Sequence, residues 1–175
     1  MLLDYEHDPL TEHGGGTGMF PDDKFVVHGH FRAQRYLCDR AYRLTFLRHP
    51  VSNLISIFFF WRLYPPFIPL HARFLEERPS IVDFARYQAF RTLMSEAYFG
   101  GFDMTRFDFI GFHESRDVDM PKLAKAIGLP LSADVALNIT PGCEERCGIE
   151  QDASVIGKIT DLLAQDVAFY EGLRR

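Results

Sequence analysis

Two histidines in "HGHF", His28 and His30, and an arginine–proline pair in "TFLRHPVSNLIS", Arg48 and Pro50, are of the right type to do chemistry. An imidazole titrates at about pH 6.5 when unperturbed, so near neutrality it can take a proton from a hydroxyl. A guanidinium presents a planar fork that grips a phosphate through two parallel hydrogen bonds. Ser52, Asn53 and Ser56 follow Arg48 at helical spacing and form one polar stripe. Helical side chains lean toward the amino terminus, which tilts that stripe toward an anion held by Arg48. Ordinary alternatives stand beside these readings. The histidines can be satisfied by local hydrogen bonds or paired on a metal, and the stripe can face solvent or be capped within the protein.

The elements that must position these residues are short and alternate in type. "KFVVHGHF" (24–31) alternates with period two, so Lys24, Val26, His28 and His30 share one face of an expected strand. "RAQRYLCDRA" reads as a helix. "YRLTFL" (42–47) is apolar enough for a buried parallel strand that ends just before Arg48. Pro50 suits the first turn of a helix, where its missing N–H costs nothing, and Leu54, Ile57, Phe58 and Trp61 then share a face. "YPPFIP" (64–69) ends that helix. A Ser80/Asp83 capping pattern opens a helix expected over 80–101. "FDFIGF" (107–112) reads as a strand, 119–130 as a short helix ended by Gly128 and Pro130, and 152–173 as a last amphipathic helix. Residues 1–23, rich in Gly, His and Asp, read as loop or partly disordered. The expectation is one α/β domain over 1–175, its core at 24–175, with a mainly parallel sheet.

Composition narrows the function classes. At 175 residues, 47% hydrophobic and 25% charged, the chain suits a single core, and seventeen Phe predict aromatic packing. No window reaches the roughly 18 apolar residues of a membrane span, and the amino terminus lacks a signal-peptide pattern, so a cytoplasmic protein is expected. Cys143 and Cys147 lie four apart with no second pair to complete a zinc pattern, which leaves free thiols or a local disulfide. Between Lys24 and Pro65 stand seven basic side chains and one acid, Asp39, a local charge of +6 in a chain of net charge −5. That asymmetry fits a local anionic ligand better than it fits nucleic acid.

Together these blocks resemble sulfotransferases that use 3'-phosphoadenosine 5'-phosphosulfate (PAPS). "FLRHPVSNLIS" is similar to the family's 3'-phosphate-binding motif, an Arg-x-Pro followed by a helix with Ser eight residues after the Arg, here Arg48, Pro50 and Ser56. "HGHF" resembles the His-x-His-Phe strand of the glycan 2-O-sulfotransferase branch. "FDFIGFHESRDVDMPKLAKAIGL" (107–129) resembles a later strand, Glu and short helix in the same order. The resemblance implies a three-layer, P-loop-NTPase-like domain lacking the first strand–loop–helix unit. It implies transfer of a sulfuryl group from PAPS to an acceptor hydroxyl, on a carbohydrate by its branch. His30 would be the base with His28 as its partner, Arg48 and Ser56 would bind the nucleotide, and no metal would be needed. Two departures accompany it: Asn53 stands where the family usually has Arg, and nothing in 1–23 matches the Lys-rich loop that holds the 5'-phosphosulfate. A sheet edge left open by the absent strand would suit a homo-oligomer. The rivals are a relative that binds the nucleotide without turnover, a hydrolase with a metal on His28, His30 and one of His49, His113 or Glu114, and an interaction module built on "PPFIP".

Overall fold

The computed structural model describes residues 1–11, 16–38, 40–134 and 142–174. Over these the chain is a mixed α/β protein with short, parallel-paired strands: β1 (Leu2–Asp4), β2 (Gly18–Met19), β3 (Val27–Gly29), β4 (Tyr36–Leu37), β5 (Leu44–Leu47) and β6 (Phe109–Phe112). Its α-helices are α1 (Pro50–Trp61), α2 (Pro69–Glu77), α3 (Ile81–Ala85), α4 (Gln88–Arg91), α5 (Arg116–Ile127), α6 (Glu144–Gln151), α7 (Ala153–Leu162) and α8 (Ala164–Leu173). A π-helical turn, Leu93–Tyr98, lies between α4 and β6.

The parallel sense agrees with the sequence expectation, but the strands form three separate pairs, β1–β3, β2–β4 and β5–β6, rather than one continuous sheet. The segment read as loop at 1–23 supplies two of the strands. The strand expected over 24–31 is confined to Val27–Gly29, and Phe25, on the face opposite His28 and His30 in that alternation, is 98% exposed. Residues 32–41, expected to be helical, instead contribute β4. Arg35 and Tyr36 are drawn to the amino-terminal segment: an Arg35 N–H donates to Nε2 of His7 at 2.9 Å and the Tyr36 hydroxyl to Asp4 at 2.6 Å. These contacts outweigh the local helix propensity.

Gly29 lets β1 and β3 approach. A Cβ there would lie 1.8 Å from the Asp4 carbonyl oxygen, its partner in register. At Gly111 the Phe46 ring, directly across the β5–β6 ladder, fills the space a side chain would need.

The main core is aromatic, as seventeen Phe predicted. Phe58, Phe59 and Trp61 of α1 pack with Phe74 of α2, Phe84 of α3, Phe90 of α4 and Ile159 of α7. Trp61 also stacks on His71 at 4.7 Å, and the His71 Nε2–H donates to the Trp61 carbonyl at 2.8 Å, satisfying an acceptor that the end of α1 leaves open. A smaller cluster of Leu47, Met94 and Tyr170 ties β5 to the π turn and α8.

The helix expected over 80–101 starts as predicted, with Ser80 Oγ accepting the Asp83 N–H at 3.2 Å. It then breaks into α3, α4 and the π turn. The buried carboxylate of Asp166 holds the start of that turn, accepting the Met94 and Ser95 N–H groups at 2.8 Å each and the Ser95 hydroxyl at 2.6 Å. Asp166→Ala would strand buried donors and should cost about 3 kcal/mol, read as a lowered urea midpoint at unchanged slope. The expected last helix divides at Leu163 into α7 and α8, and the loop expected around Cys143 and Cys147 is largely α6. All three cysteines are free. No helix among the described residues is long and apolar enough to cross a membrane.

Candidate functional site

Arg48 lies where the sequence expects it, between the end of β5 and Pro50, the first residue of α1. Its Nε is buried without a hydrogen-bond partner. The side chain makes no ion pair among the described residues. Burial holds the Arg48 guanidinium below the ordinary arginine range; Arg146 of α6 adds to this by repulsion, while Glu114 and Glu150 oppose it. Arg146 is itself engaged, donating to Glu150 at 2.9 Å.

The turn after β5 is pinned from below. Glu114, just beyond β6, accepts the His49 N–H at 2.8 Å and the Tyr170 hydroxyl at 2.7 Å. Burial alone would raise the Glu114 carboxyl, but these two donors, its own backbone N–H and the neighbouring His113 together more than offset it, and its pKa lies below the ordinary 4.5. The stability they contribute is therefore present above about pH 4.5 and is lost as pH falls through the lowered value. Glu114→Gln should flatten that acid limb in a pH series of urea midpoints. His113 is held below its usual range by burial and by the Arg48 charge.

The start of α1 borders a cavity of about 360 Å³ whose lining includes His49, Ser52, Ile55, Glu150 and Thr160 but not Arg48. Ser52 faces it. Ser56, one helical turn further from Arg48, is half-buried and does not line it. Glu150 and Arg146 are not among the residues the sequence singles out, because they belong to α6, in a segment whose residues carry no apolar period.

The histidines form a second group, on β3 and the residue after it. His28 is exposed on the strand, with its ring edge-on to Tyr5 at 6.4 Å. The His30 ring meets Tyr5 at 5.3 Å and Tyr98 at 6.5 Å, and its Nδ1 lies 3.0 Å from Asp8. Asp8 and Tyr98 were not singled out in the sequence. The one available signal was the density of acids and histidines in "DYEHDP", five residues short of the glycine run. His28 and His30 are not brought together with His49, His113 or Glu114, and no group of three or more potential metal ligands occurs among the described residues.

One wall joins the two groups. Tyr98, beside His30, ends the π turn. Its neighbour Phe99 stacks on Phe169 of α8 at 5.8 Å, and the next residue, Tyr170, lies edge-on to His49 at 5.3 Å. Aromatic contacts thus run from Tyr98, beside His30, through α8 to His49, the residue after Arg48. Chemically, the arrangement can hold an anion at Arg48 and accept a proton at a histidine. Comparison of the chain with protein families, with curated proteins and with solved structures gave no match.

Proposed function

We propose that the chain is a PAPS-dependent sulfotransferase acting on a hydroxyl, with a carbohydrate as acceptor, and that its fold is a variant of the three-layer, P-loop-NTPase-like domain. The observation that carries this reading is the buried, partnerless Nε of Arg48 at the carboxyl end of a parallel strand and the start of a helix. Anionic ligands bind at such places because helix N–H groups and strand ends converge there.

The 3'-phosphate end of the nucleotide fits the residues present. Arg48 would grip it, with Ser52 adding a hydroxyl from the cavity wall and Ser56 standing one turn deeper. PAPS supplies an activated sulfuryl group. His30 would take the proton of the acceptor hydroxyl as the new S–O bond forms and the bond from sulfur to the 5'-phosphate oxygen breaks, releasing 3'-phosphoadenosine 5'-phosphate, a general-base contribution of about 10²–10⁴-fold. Holding the nucleotide at Arg48 keeps the reacting groups in register. No metal ligand set enters this scheme, and no contact with nucleic acid or a membrane is needed.

A second reading, nucleotide binding without turnover, is favoured by one observation. Lys24 is the only lysine before Lys122, and its ammonium is paired with Asp23, so no lysine-rich cradle for the phosphosulfate stands among the described residues. Two measurements on the purified chain separate the readings: calorimetric titration with 3'-phosphoadenosine 5'-phosphate, then sulfate transfer from PAPS to a glycan panel. Binding with transfer supports the enzyme, binding alone supports the second reading, and no binding defeats both.

A further inference from the structure

Three histidines sit at the β1–β3 pole, and their ring nitrogens are occupied differently. His7 is held at both: Nδ1 lies 2.8 Å from the Asp4 carboxylate, and Nε2 accepts an Arg35 N–H at 2.9 Å. His28 has no hydrogen-bond partner on either nitrogen among the described residues. His30 is held at one only, through Nδ1 to Oδ2 of Asp8 at 3.0 Å.

A carboxylate can only accept, so that contact places the proton of a neutral His30 ring on Nδ1 and leaves the lone pair on Nε2. No protein group among the described residues takes that lone pair, and the side chain is 62% exposed, open to an incoming hydroxyl. Asp8 is fixed in turn. Its side chain is only 15% exposed, and its Oδ1 accepts the Tyr98 hydroxyl and the Leu10 N–H at 2.9 Å each. Burial, then the neighbouring Asp8 charge, push the Tyr98 phenol far above its ordinary range, so it remains a donor. Tyr98 is carried by the π turn that Asp166 clamps.

We propose that Asp8, anchored by Tyr98, is a positioning residue that fixes His30 as the Nδ1–H tautomer and directs its Nε2 lone pair at the acceptor hydroxyl. This distinguishes His30 from its neighbours: His7 is blocked at Nε2, and His28 has no hydrogen bond among the described residues to set its tautomer. A carboxylate that orients a histidine and sets its tautomer is the arrangement by which an imidazole becomes an efficient base. The catalytic consequence rests on the sulfotransferase reading, whereas the tautomer does not.

The test is long-range ¹⁵N–¹H correlation of the histidine rings, recorded above neutral pH on the unmodified protein, Asp8→Ala and Tyr98→Phe. The unmodified protein should show His30 as Nδ1–H. Asp8→Ala should return it to the Nε2–H form that an unconstrained imidazole prefers, with the His7 signals unchanged as an internal check on folding. If those signals are lost, Tyr98→Phe carries the test, since it leaves the Leu10 contact in place, and it should give a mixture of tautomers. An Nε2–H ring in the unmodified protein, or an undiminished Nδ1–H form in the folded variant, overturns the proposal. In the transfer assay Asp8→Ala should lower kcat about 10–100-fold at unchanged KM for PAPS; an unaltered kcat also overturns it. Failure to bind 3'-phosphoadenosine 5'-phosphate strikes the sulfotransferase reading alone and leaves the tautomer result to be judged by itself.

Discussion

Arg48→Ala removes binding of 3'-phosphoadenosine 5'-phosphate without destabilising the fold. A charge-assisted hydrogen bond contributes about 1.5–3 kcal/mol, so losing a bidentate pair should weaken binding by at least about 100-fold, below the reach of ordinary calorimetry. The usual objection to such a variant is that it unfolds the protein. Here the objection is weak, because Arg48 gives up no ion pair and its Nε has no partner. Removing a partly buried, unpaired cation relieves a desolvation cost, so Tm should stay level or rise. Arg48→Lys keeps the charge but not the fork and should fall between the two. Arg146, engaged by Glu150, cannot replace the lost guanidinium without breaking its own contact. Binding by Arg48→Ala equal to that of the unmodified chain would end the assignment.

Phe84→Ala should have the largest effect on stability. Phe84 is completely buried, with ring neighbours Phe58, Trp61, Phe74, Tyr87 and Phe90 at 4.4–5.5 Å. Truncating a buried Phe costs about 3–5 kcal/mol, a large part of the 5–15 kcal/mol that holds a typical domain together. The surrounding rings come from α1, α2, α4 and Tyr87 just before α4, and most of them also pack on other rings of the core. Because Phe58 and Trp61 belong to α1, whose first turn adjoins Arg48, nucleotide affinity should fall along with the urea midpoint. A loss of less than about 1 kcal/mol would mean that the site collapses far more freely than this packing suggests.

Legibility of the sequence varied along the chain for physical reasons. β5, the Pro50 start of α1, and β6 are readable because each is a strong local pattern: a short apolar run, a proline opening a helical period, and an aromatic-rich run. The helix expected over 80–101 was not divided correctly, since its apolar spacing continues unbroken through Ala85 and Thr92. At the second of its two breaks, after Thr92, the carboxylate of Asp166, more than seventy residues later, holds the start of the π turn. β1 and β2 were invisible for the same reason. Two or three residues in a Gly- and Asp-rich stretch carry no period, and they become strands only by pairing with β3 and β4.

The candidate site divides in the same way. Arg48, His28 and His30 could be singled out because side-chain chemistry is written in residue type. Glu150, Arg146, Asp8 and Tyr98 reach these groups from distant segments, and type alone does not distinguish them from surface residues. Residues 24–65 are basic by themselves, yet Glu114, Glu150 and Arg146 come from distant segments to set the field at Arg48.

Trp61 is the single tryptophan of the chain, and it sits 3% exposed among the rings of the main core. The protein therefore carries its own optical probe at one defined place. Intrinsic emission should be that of an indole shielded from water and should move to longer wavelength only when the aromatic helices part. It is blind to rearrangements around β1 and β3, where no indole lies. Titrating a variant while watching this signal separates a lost ligand contact from a lost fold in one cuvette. Arg48→Ala should leave the emission of the unmodified chain intact, and Phe84→Ala should not.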